Sequence, residues 1–596
     1  MGLYKKLPAD IGEVDVIIIG GGCTGCIVAS RLADADPRLS ILIIESGTDN
    51  QGLDEVDHVG LWLSHILPGA PYTKFFQGRK SESIAGRQPT VPVGHIFGGG
   101  SSINSVLYSR PQRSDYEAWN TPGWSPDDLL PYMKKLEKFN GPDPHNMHGS
   151  NGPVQVSRGK FRNHRLEDDF IASLSKSGWP ELDDINCFGP TNGAMRAMRY
   201  LDPEGRRQDT AKVYLRPRLE DGQHPNLNVL LESQAERVLF ENNKAVGVSF
   251  RPNPTYHPDV DPDTVQTIKA RELVIICGGP MFSPLILERS GIGDPDILKR
   301  AGVPVTADVP GVGAEYEDHH SMMYPYYSSL NPEETLDAIH AGRVNVGDLI
   351  AAQDGRLTYN AIDVQAKLRP TEDDVDALGP AFRAAWDEHY KNIKDKPLMM
   401  MSPVGCFPGD PSPFGPTQFF TLVAFALYPF SRGHLHITGP KIDDVVDFDP
   451  GLLSDPQGVD IKHHVWMYKK QREVARRMSC CEGAVPGLHP TFPPESTAHQ
   501  DSPNIVYSAD DDAIIEKWIR EHLDSTWHPI GTCKMAPRDK HGVVDATLSV
   551  YGVQGLKVAD LSISPRNVGA NTSNTAMTVA EKAADLFIEE LGLKRG

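Results

Sequence analysis

The chain has 596 residues, of which 39% are hydrophobic and 23% are charged, with 59 Lys and Arg against 79 Asp and Glu. This length exceeds what one hydrophobic core usually supports, so two or more lobes are expected. The net charge of -20 would repel nucleic acid and anionic lipid, which excludes both as natural partners.

The cysteines and the targeting signals favour a reduced cell interior. Eight cysteines in so long a chain do not make a disulfide framework, and no Cys or His pairs lie at zinc spacing, so no metal site is predicted. No run approaches the roughly 20 apolar residues of a spanning helix. The sequence lacks a secretory signal and a Ser-Lys-Leu ending. We expect a cytoplasmic protein, with a peroxisomal or non-classically secreted one as open alternatives.

The first elements along the chain predict a β-α-β unit. Residues 14–20, VDVIIIG, form a β-branched run typical of a strand buried on both faces. Residues 21–34 predict a turn and an amphipathic helix, and residues 40–45, SILIIE, predict a second buried strand. Such a unit implies a parallel sheet at the start of the fold.

A glycine motif lies at the junction of this first strand and helix. Gly20, Gly22 and Gly25 have the G-x-G-x-x-G spacing, and Glu45 ends the second strand. The glycines permit a tight turn, close approach of a pyrophosphate and close helix packing, while the carboxylate can accept hydrogen bonds from a ribose. The motif predicts a dinucleotide site but does not distinguish FAD from NAD. The alternative is a glycine turn without a ligand.

Later segments add further elements. Residues 228–250 predict two strands around an Asn-Asn turn, residues 272–277 a buried strand, and residues 575–592 a closing helix. The stretch from about 320 to 520 is rich in Pro and Asp and mixes short apolar strands with helical patches.

Five separated motifs resemble those of the glucose–methanol–choline (GMC) oxidoreductases, and within them the fungal FAD-dependent alcohol oxidases. They occur in the order typical of that family. The motifs are HIFGGGSSINSVLYSRPQRSDYEAW (95–119), CGGPMFSPLILERSGIGDP (277–295), VPGVGAEYEDHH (309–320), STWHPIGTCKM (525–535) and LKVADLSISPRNVGANTSNTAMTVAEKAADL (556–586).

The resemblance implies an α/β, Rossmann-like FAD-binding domain and a second, α+β substrate-binding domain. Residues 1–155 would form the first part of the FAD-binding domain with the flavin-lining loop, and residues 226–318 its continuation. Residues 521–596 would complete that domain with the catalytic His and Asn. The substrate-binding domain would comprise residues 156–225 and 319–520.

The resemblance also assigns contacts to FAD. Gly99, Ser101 and Asn104 would line the flavin. Asp560 and Ala235 would contact the ribityl–pyrophosphate and adenine ends, although plain strand packing is an equal alternative for Ala235.

The flavin is expected to be bound non-covalently. Some relatives carry it on a histidine just before the Asn of this loop, where the present chain has Ile103. His95, slightly upstream, is the alternative attachment point.

His528 and Asn571 are the candidate catalytic pair by the same resemblance. A neutral imidazole can accept the hydroxyl proton of an alcohol near neutral pH, and an amide can hydrogen-bond the substrate oxygen without titrating. The alternative for His528 is a core histidine. Trp527 would form part of the substrate wall or of the core. No nucleophile elbow of an acyl-transfer enzyme is present.

Ser105 follows Asn104 at a position that faces the reactive edge of the flavin in this family. Methanol-oxidising relatives have a bulky aromatic residue there, so the serine implies a primary alcohol larger than methanol.

The predicted activity is therefore that of an FAD-dependent alcohol oxidase, which converts a primary alcohol and O2 to an aldehyde and H2O2. The alternatives are a dehydrogenase with a quinone or other acceptor, a lyase or photoenzyme on the same fold, and a non-catalytic flavin-binding protein. A homo-oligomer stays open.

Overall fold

The computed structural model describes residues 2–189, 191–261, 264–499 and 505–594. Its strands, in chain order, are β1 (Gly2–Tyr4), β2 (Glu13–Ile19), β3 (Ile41–Ile44), β4 (Thr73–Gln77), β5 (Thr90–Gly94), β6 (Glu137–Phe139), β7 (Val154–Val156), β8 (Gly193–Arg196), β9 (Leu227–Leu230), β10 (Ser233–Glu241), β11 (Lys244–Pro252), β12 (Gln266–Ile276), β13 (Ile292–Gly293), β14 (Ala307–Asp308), β15 (His320–Ser328), β16 (Val364–Leu368), β17 (Met399–Val404), β18 (Gln418–Ala426), β19 (His434–His436), β20 (Asp447–Asp449), β21 (Cys481–Ala484), β22 (Asp524–Ser525) and β23 (Leu556–Val558).

The α-helices are α1 (Cys23–Ala35), α2 (Asp54–Asp57), α3 (Gly100–Ile103), α4 (Arg113–Trp119), α5 (Pro126–Leu136), α6 (His164–Lys176), α7 (Arg216–Glu220), α8 (Ser283–Arg289), α9 (Pro295–Arg300), α10 (Asp337–His340), α11 (Val346–Ala351), α12 (Glu372–Ala377), α13 (Pro380–His389), α14 (Val459–Arg477), α15 (Ala509–His522) and α16 (Ser573–Glu590). A π-helix spans Ala211–Leu215, and 3-10 helices span Val59–Ile66, Glu82–Ile84, Gly355–Thr358, Ser412–Phe414, Thr497–His499, Arg538–Lys540 and Leu561–Ile563. No helix in these described ranges is long and apolar enough to cross a bilayer.

The first sheet has the order β1-β9-β3-β2-β12-β11-β10, and β23 also pairs with β12. The strands β1, β9, β3, β2, β12 and β23 run parallel, whereas β10 and β11 continue the sheet antiparallel. The helices α1 and α16 pack against each other beside this sheet. The predicted β-α-β unit is thus confirmed. The helix predicted over residues 575–592 is also confirmed, as α16 (Ser573–Glu590).

The prediction for residues 228–250 was wrong in its strand count. The Asn242–Asn243 turn does join β10 and β11, and both asparagines have positive φ, as a two-residue hairpin turn requires. The preceding residues form a separate parallel strand, β9, which ends before Glu232, whose φ is 56°. The predicted strand at 272–277 is only the end of the longer β12, whose first half alternates exposed and buried residues.

The second sheet has the order β21-β15-β18-β17-β16-β8, is antiparallel, and includes β22 as an extra partner of β15. Its side chains alternate between two apolar clusters. Met322, Leu422 and Met401 pack with α14 and α15 on one face. Phe425, Met400 and Val404 point to the opposite face. That opposite face borders a cavity of about 1280 Å³, which the first sheet lines from the other side. The exact domain boundaries stay a prediction.

Candidate active site

The glycine motif forms the turn between β2 and α1 at the edge of this cavity. Gly20 has φ of 101°, and a Cβ there would lie 2.5 Å from the carbonyl oxygen of Cys277. A Cβ on Gly25 would lie 2.0 Å from the carbonyl oxygen of Gly20. A Cβ on Gly22 would meet only the Cα of Gly99, at 3.8 Å. The first and third glycines are therefore required by packing alone, and Gly22 leaves open the approach to the N-terminus of α1, where backbone N–H groups attract phosphate.

Glu45 lies at the end of β3 and borders the cavity beside this turn. Its two carboxylate oxygens accept hydrogen bonds from the backbone N–H groups of Gly21, at 2.7 Å, and Gly47, at 2.6 Å. Burial raises the pKa of Glu45, and these backbone hydrogen bonds oppose that rise. Each oxygen keeps a second lone pair, so the side chain can still accept a hydrogen bond from a ribose hydroxyl.

The next glycine-rich turn contacts the first one. Gly99 has φ of 55°, and a Cβ there would lie 2.9 Å from the Cα of Gly22. Asn104 lines the cavity, and its Oδ1 atom accepts hydrogen bonds from the backbone N–H of Val106 and from Arg207 Nη1, both at 3.0 Å.

Arg207 was not anticipated from the sequence. Its buried guanidinium also donates to the carbonyl oxygens of Asn104, at 2.7 Å, and Ser101, at 3.2 Å. Burial lowers the pKa of Arg207 to about 10, a value that leaves it protonated at neutral pH. Arg207 therefore stabilises the backbone of the predicted flavin-lining loop. No sequence motif marks it, because its partners are mostly backbone oxygens.

Asp560 follows β23 and lines the cavity at the sheet edge that also carries the turn after β2, because β23 and β2 both pair with β12 in parallel. It accepts hydrogen bonds from the backbone N–H of Gly279, at 2.9 Å, from Ser283 Oγ, at 2.6 Å, and from the backbone N–H of Ser562, at 2.8 Å. Asp560 thereby links the turn between β12 and α8 to the segment that follows β23. Ala235, on β10, also lines the cavity, and the backbone N–H of Ser233 on the same strand donates to the carbonyl oxygen of Glu45 at 2.9 Å.

The predicted cofactor residues converge on one space. All of them except Gly25 line the cavity: Gly20, Gly22, Glu45, Gly99, Ser101, Asn104, Ala235 and Asp560. Gly25 lies behind the turn, where its lack of a side chain lets α1 approach the strand. The volume exceeds that of typical small-molecule pockets, so it can hold a dinucleotide together with a substrate. The residues present therefore fit FAD.

His528 and Asn571, the predicted catalytic pair, meet at the other end of the cavity. The Nδ2 atom of Asn571 lies 3.3 Å from Nε2 of His528. His528 comes from the loop after β22, and Asn571 lies just before α16. The fold brings together two residues that are 43 positions apart, as the resemblance implied.

A second histidine, His319, lies behind His528 and was not singled out from the sequence. The Nδ1 atoms of the two rings are 3.0 Å apart, and Nε2 of His319 is 2.9 Å from the carbonyl oxygen of Val568. Burial lowers the pKa of His319 to about 3 and that of His528 well below its ordinary value, so both rings are neutral.

These contacts define which nitrogen carries each proton. A carbonyl oxygen only accepts, so His319 must donate from Nε2 and present a lone pair at Nδ1. His528 then donates from Nδ1, which leaves the lone pair of its Nε2 directed at Asn571 and the cavity. The arrangement places a proton acceptor where an alcohol hydroxyl can reach it.

Asp318 joins the two histidine segments. Its Oδ1 atom accepts hydrogen bonds from the backbone N–H groups of His319, at 2.8 Å, and His528, at 2.9 Å. Its Oδ2 atom accepts from the hydroxyl of Tyr316, at 2.8 Å, and from that of Ser525. Burial raises the pKa of Asp318 to about 6. This carboxylate holds the backbone of His528 through the buried interior.

Trp527 precedes His528 and has φ of 64°, a left-handed conformation that costs a bulky residue about 1–3 kcal/mol. Its backbone N–H donates to Ser525 Oγ at 2.7 Å. The side chain lines the cavity and also packs against the cluster that contains Phe425, so it belongs to both wall and core. Ser105 also lines the cavity.

The family model described as GMC oxidoreductase matches the chain in two parts, residues 14–321 and residues 429–580. The alcohol oxidase of Pichia angusta is 36% identical, over 97% of this chain and 95% of its own. The alcohol oxidase of Candida boidinii is 35% identical with the same coverage. A solved fungal aryl-alcohol oxidase has the same fold, with a TM-score of 0.78, 23% identity and coverage of 98% of this chain and 100% of its own.

Proposed function

Because the chain belongs to the GMC oxidoreductase family, we propose that it is an FAD-dependent alcohol oxidase. It converts a primary alcohol larger than methanol, together with O2, to the aldehyde and H2O2. The observation that carries this proposal is the unprotonated Nε2 atom of His528, which faces the cavity beside Asn571 in a chain 36% identical to an alcohol oxidase.

The nucleotide part of FAD would lie along the turns that carry Gly22 and Gly99, with Glu45 at the ribose and Asp560 beside the pyrophosphate. When bound, FAD supplies the acceptor for a hydride from the carbinol carbon. The side chain of Ile103 has no nucleophilic atom, which supports non-covalent binding. His95, whose ring centroid lies 6.3 Å from that of Phe282, is the alternative attachment point.

The protein's own groups act on the hydroxyl. Nε2 of His528 accepts its proton, and the second N–H of the Asn571 amide donates to its oxygen. His319 keeps the accepting lone pair on Nε2 of His528, and Asp318 holds the loop in place. General-base assistance of this kind is worth about 10²- to 10⁴-fold.

The cellular setting rests on the sequence alone. The strongly acidic composition supports a protein without nucleic-acid or membrane partners, and we propose a cytoplasmic location.

The test is a screen of primary alcohols with peroxide production and anaerobic flavin reduction as paired readouts. His528→Ala should slow anaerobic reduction at least a hundredfold while flavin content per chain stays unchanged. Flavin reduction without peroxide in air would identify a dehydrogenase that uses another acceptor. Flavin that stays oxidised with every alcohol would contradict the proposal and favour a lyase or photoenzyme.

A further inference from the structure

The second sheet presents a wall to the cavity opposite the nucleotide turns. This substrate wall consists of alternate residues of three neighbouring strands, namely Ser321 and Met323 of β15, Ser402 and Val404 of β17, and Val423 and Phe425 of β18. Met322 and Ala424, which lie between wall residues on β15 and β18, pack into the core on the other face of the sheet.

The register of the sheet gives the distance between His528 and the other residues of the substrate wall, measured in rows along the strands. Phe425 pairs with Ser321, and its ring centroid lies 5.8 Å from that of His528. Val423 pairs with Met323 on one side and with Ser402 on the other. Ser402 is therefore one row beyond the row of Phe425, a step of about 7 Å along the strands.

The wall carries no charge. Among the cavity-lining residues that the structure describes, the charged side chains lie on the first sheet, the β4 and β5 hairpin, α8, the segment 443–447 and the turn after β23; they are Glu45, Lys74, Arg79, Arg289, Asp443, Asp444, Asp447 and Asp560. The end of the cavity beside His528 is built from apolar side chains, serines and the catalytic pair. A substrate that bears a net charge would lose its hydration there without gaining a counter-charge.

The wall has two polar residues, Ser321 in the row of Phe425 and Ser402 one row beyond it. Ser402 is only 7% exposed, and its hydroxyl makes no hydrogen bond to a protein group within the described ranges. Thr421, on the neighbouring strand and one row farther on, is satisfied instead by donating to the carbonyl oxygen of Cys406 at 2.7 Å. Because Ser402 lines the cavity, its hydroxyl is available to pair with a polar group of a bound ligand.

We propose that the substrate is a neutral alcohol with a second hydrogen-bonding group, a hydroxyl or a carbonyl, which Ser402 binds while the carbinol carbon lies at His528. This inference rests on the proposed oxidase function and adds a specificity-determining residue to it. The two polar groups of the substrate are separated by one row of the substrate wall, as in a linear diol of medium length.

The experiment compares linear diols of four, five and six carbons with the monoalcohols of equal length, in wild type and in Ser402→Ala. In wild type, kcat/KM should be higher for one diol length than for its monoalcohol. Ser402→Ala should raise KM for that diol about three- to tenfold, the effect of one hydrogen bond. Its values for the monoalcohol should stay within about twofold, because the apolar contacts remain.

Ser402→Thr serves as the matched variant, because threonine retains the hydroxyl and suits a strand. It should restore the diol preference. Direct binding gives a second readout. In the slow His528→Ala background, the dissociation constant of the diol, followed by the flavin absorbance change, should weaken three- to tenfold when Ser402→Ala is added.

The outcomes separate the two proposals. Alcohol oxidation that shows no preference for any second polar group, or a preference that survives in Ser402→Ala, overturns the role of Ser402 and leaves the oxidase function standing. Failure of every alcohol to reduce the wild-type flavin overturns the oxidase function, and the inference with it. Unchanged flavin content shows that each variant is folded.

Discussion

At the scale of single residues, the protonation state of His528 determines how activity depends on pH. Burial, with His319 nearby, lowers the pKa of His528 well below its ordinary value. The ring therefore stays neutral, and able to accept a proton, until the pH falls through that lowered pKa. A histidine with an ordinary pKa of about 6.5 would lose this ability much earlier.

We therefore expect the rate constant for anaerobic flavin reduction to stay nearly constant between about pH 8 and pH 5.5. Stopped-flow absorbance with a saturating alcohol measures it, and flavin absorbance after each run controls for cofactor loss. A decline with a midpoint near the ordinary histidine value of about 6.5 would mean that His528 is not held in a low-pKa environment.

His319 should act through His528 as a positioning residue. His319→Phe keeps a ring in place but removes the Nδ1 acceptor, so His528 can place its proton on either nitrogen. We expect reduction to slow about tenfold or more with unchanged flavin content, within the range of a general-base effect. The pH profile should stay as flat as in wild type, because burial, the main cause of the low pKa of His528, is retained.

His319→Asn is the matched control, since its amide oxygen can replace the lost acceptor. It should slow flavin reduction less than His319→Phe does. Equal rates for both variants and wild type would rule out the tautomer role.

The small side chain of Ser105 should leave room for alcohols larger than methanol. Ser105→Phe should raise kcat/KM for methanol relative to that for butanol at least tenfold, chiefly by excluding the larger alcohol, because pocket volume changes of a methylene or more discriminate about 10–200-fold. Ser105→Ala, which removes only the hydroxyl, should leave the size preference unchanged. The idea fails if wild type already prefers methanol.

The residues of the candidate site differ in how far the sequence could reveal them. His528 and Asn571 sit inside motifs that resemble a known family, so both could be proposed from the sequence. His319 lay within a recognised motif, yet its role depends on a contact 209 positions away and on one backbone carbonyl. Ser402 belongs to no motif, and only the strand register relates it to His528.

At the scale of elements, two glycines of the turn from β2 to α1 are required for different reasons. Gly25 is required for packing, and Gly22 is required for ligand access. Gly25→Ala should prevent correct folding, because its Cβ would lie 2.0 Å from a carbonyl oxygen whether or not a cofactor is present. Gly22→Ala should fold, because its Cβ meets only one atom, at 3.8 Å. Its methyl group would occupy the approach to the helix N-terminus, so the purified protein should contain much less flavin.

The measurement for this pair is the flavin-to-protein absorbance ratio together with the thermal midpoint of flavin-free protein. Gly22→Ala should match flavin-free wild type in thermal midpoint. Full flavin content in Gly22→Ala would show that no phosphate lies against this turn.

The sequence predicted the elements of the first sheet better than those of the second. Runs such as VDVIIIG and SILIIE are apolar throughout because both faces of each strand are buried, and a single helix connects them. Their parallel pairing therefore follows from local rules. β9 was merged with β10 because only Leu231 and Glu232 separate them, and neither is a turn residue such as Gly, Pro, Asn or Asp. In the second sheet, β8 pairs with β16 across more than 160 positions, and no local pattern encodes such pairing.

At the scale of the whole molecule, a cofactor in the cavity would contact both sheets, so its binding should contribute to the stability of the folded protein. A non-covalent ligand that binds only the folded state stabilises it by about 2.7 kcal/mol at a hundredfold excess over its dissociation constant. Protein stripped of flavin should therefore melt at a lower temperature, and added FAD should raise the midpoint in a concentration-dependent way.

Differential scanning fluorimetry across an FAD titration tests this expectation, with riboflavin, which lacks the adenylate half, as the control that should stabilise less. Flavin that stays on acid-precipitated polypeptide would instead indicate a covalent bond and direct attention to His95.

The closing helix α16 has a consequence for how the protein is made. It packs on α1, and β23 pairs with β12, so the first sheet is completed only by residues near 556–590. On the ribosome, the early β-α-β unit must wait for hundreds of residues with its apolar surface uncovered, because such distant contacts form late. Newly synthesised chains should therefore depend on chaperones until residues 556–590 have been made, and flavin loading should follow the synthesis of these residues.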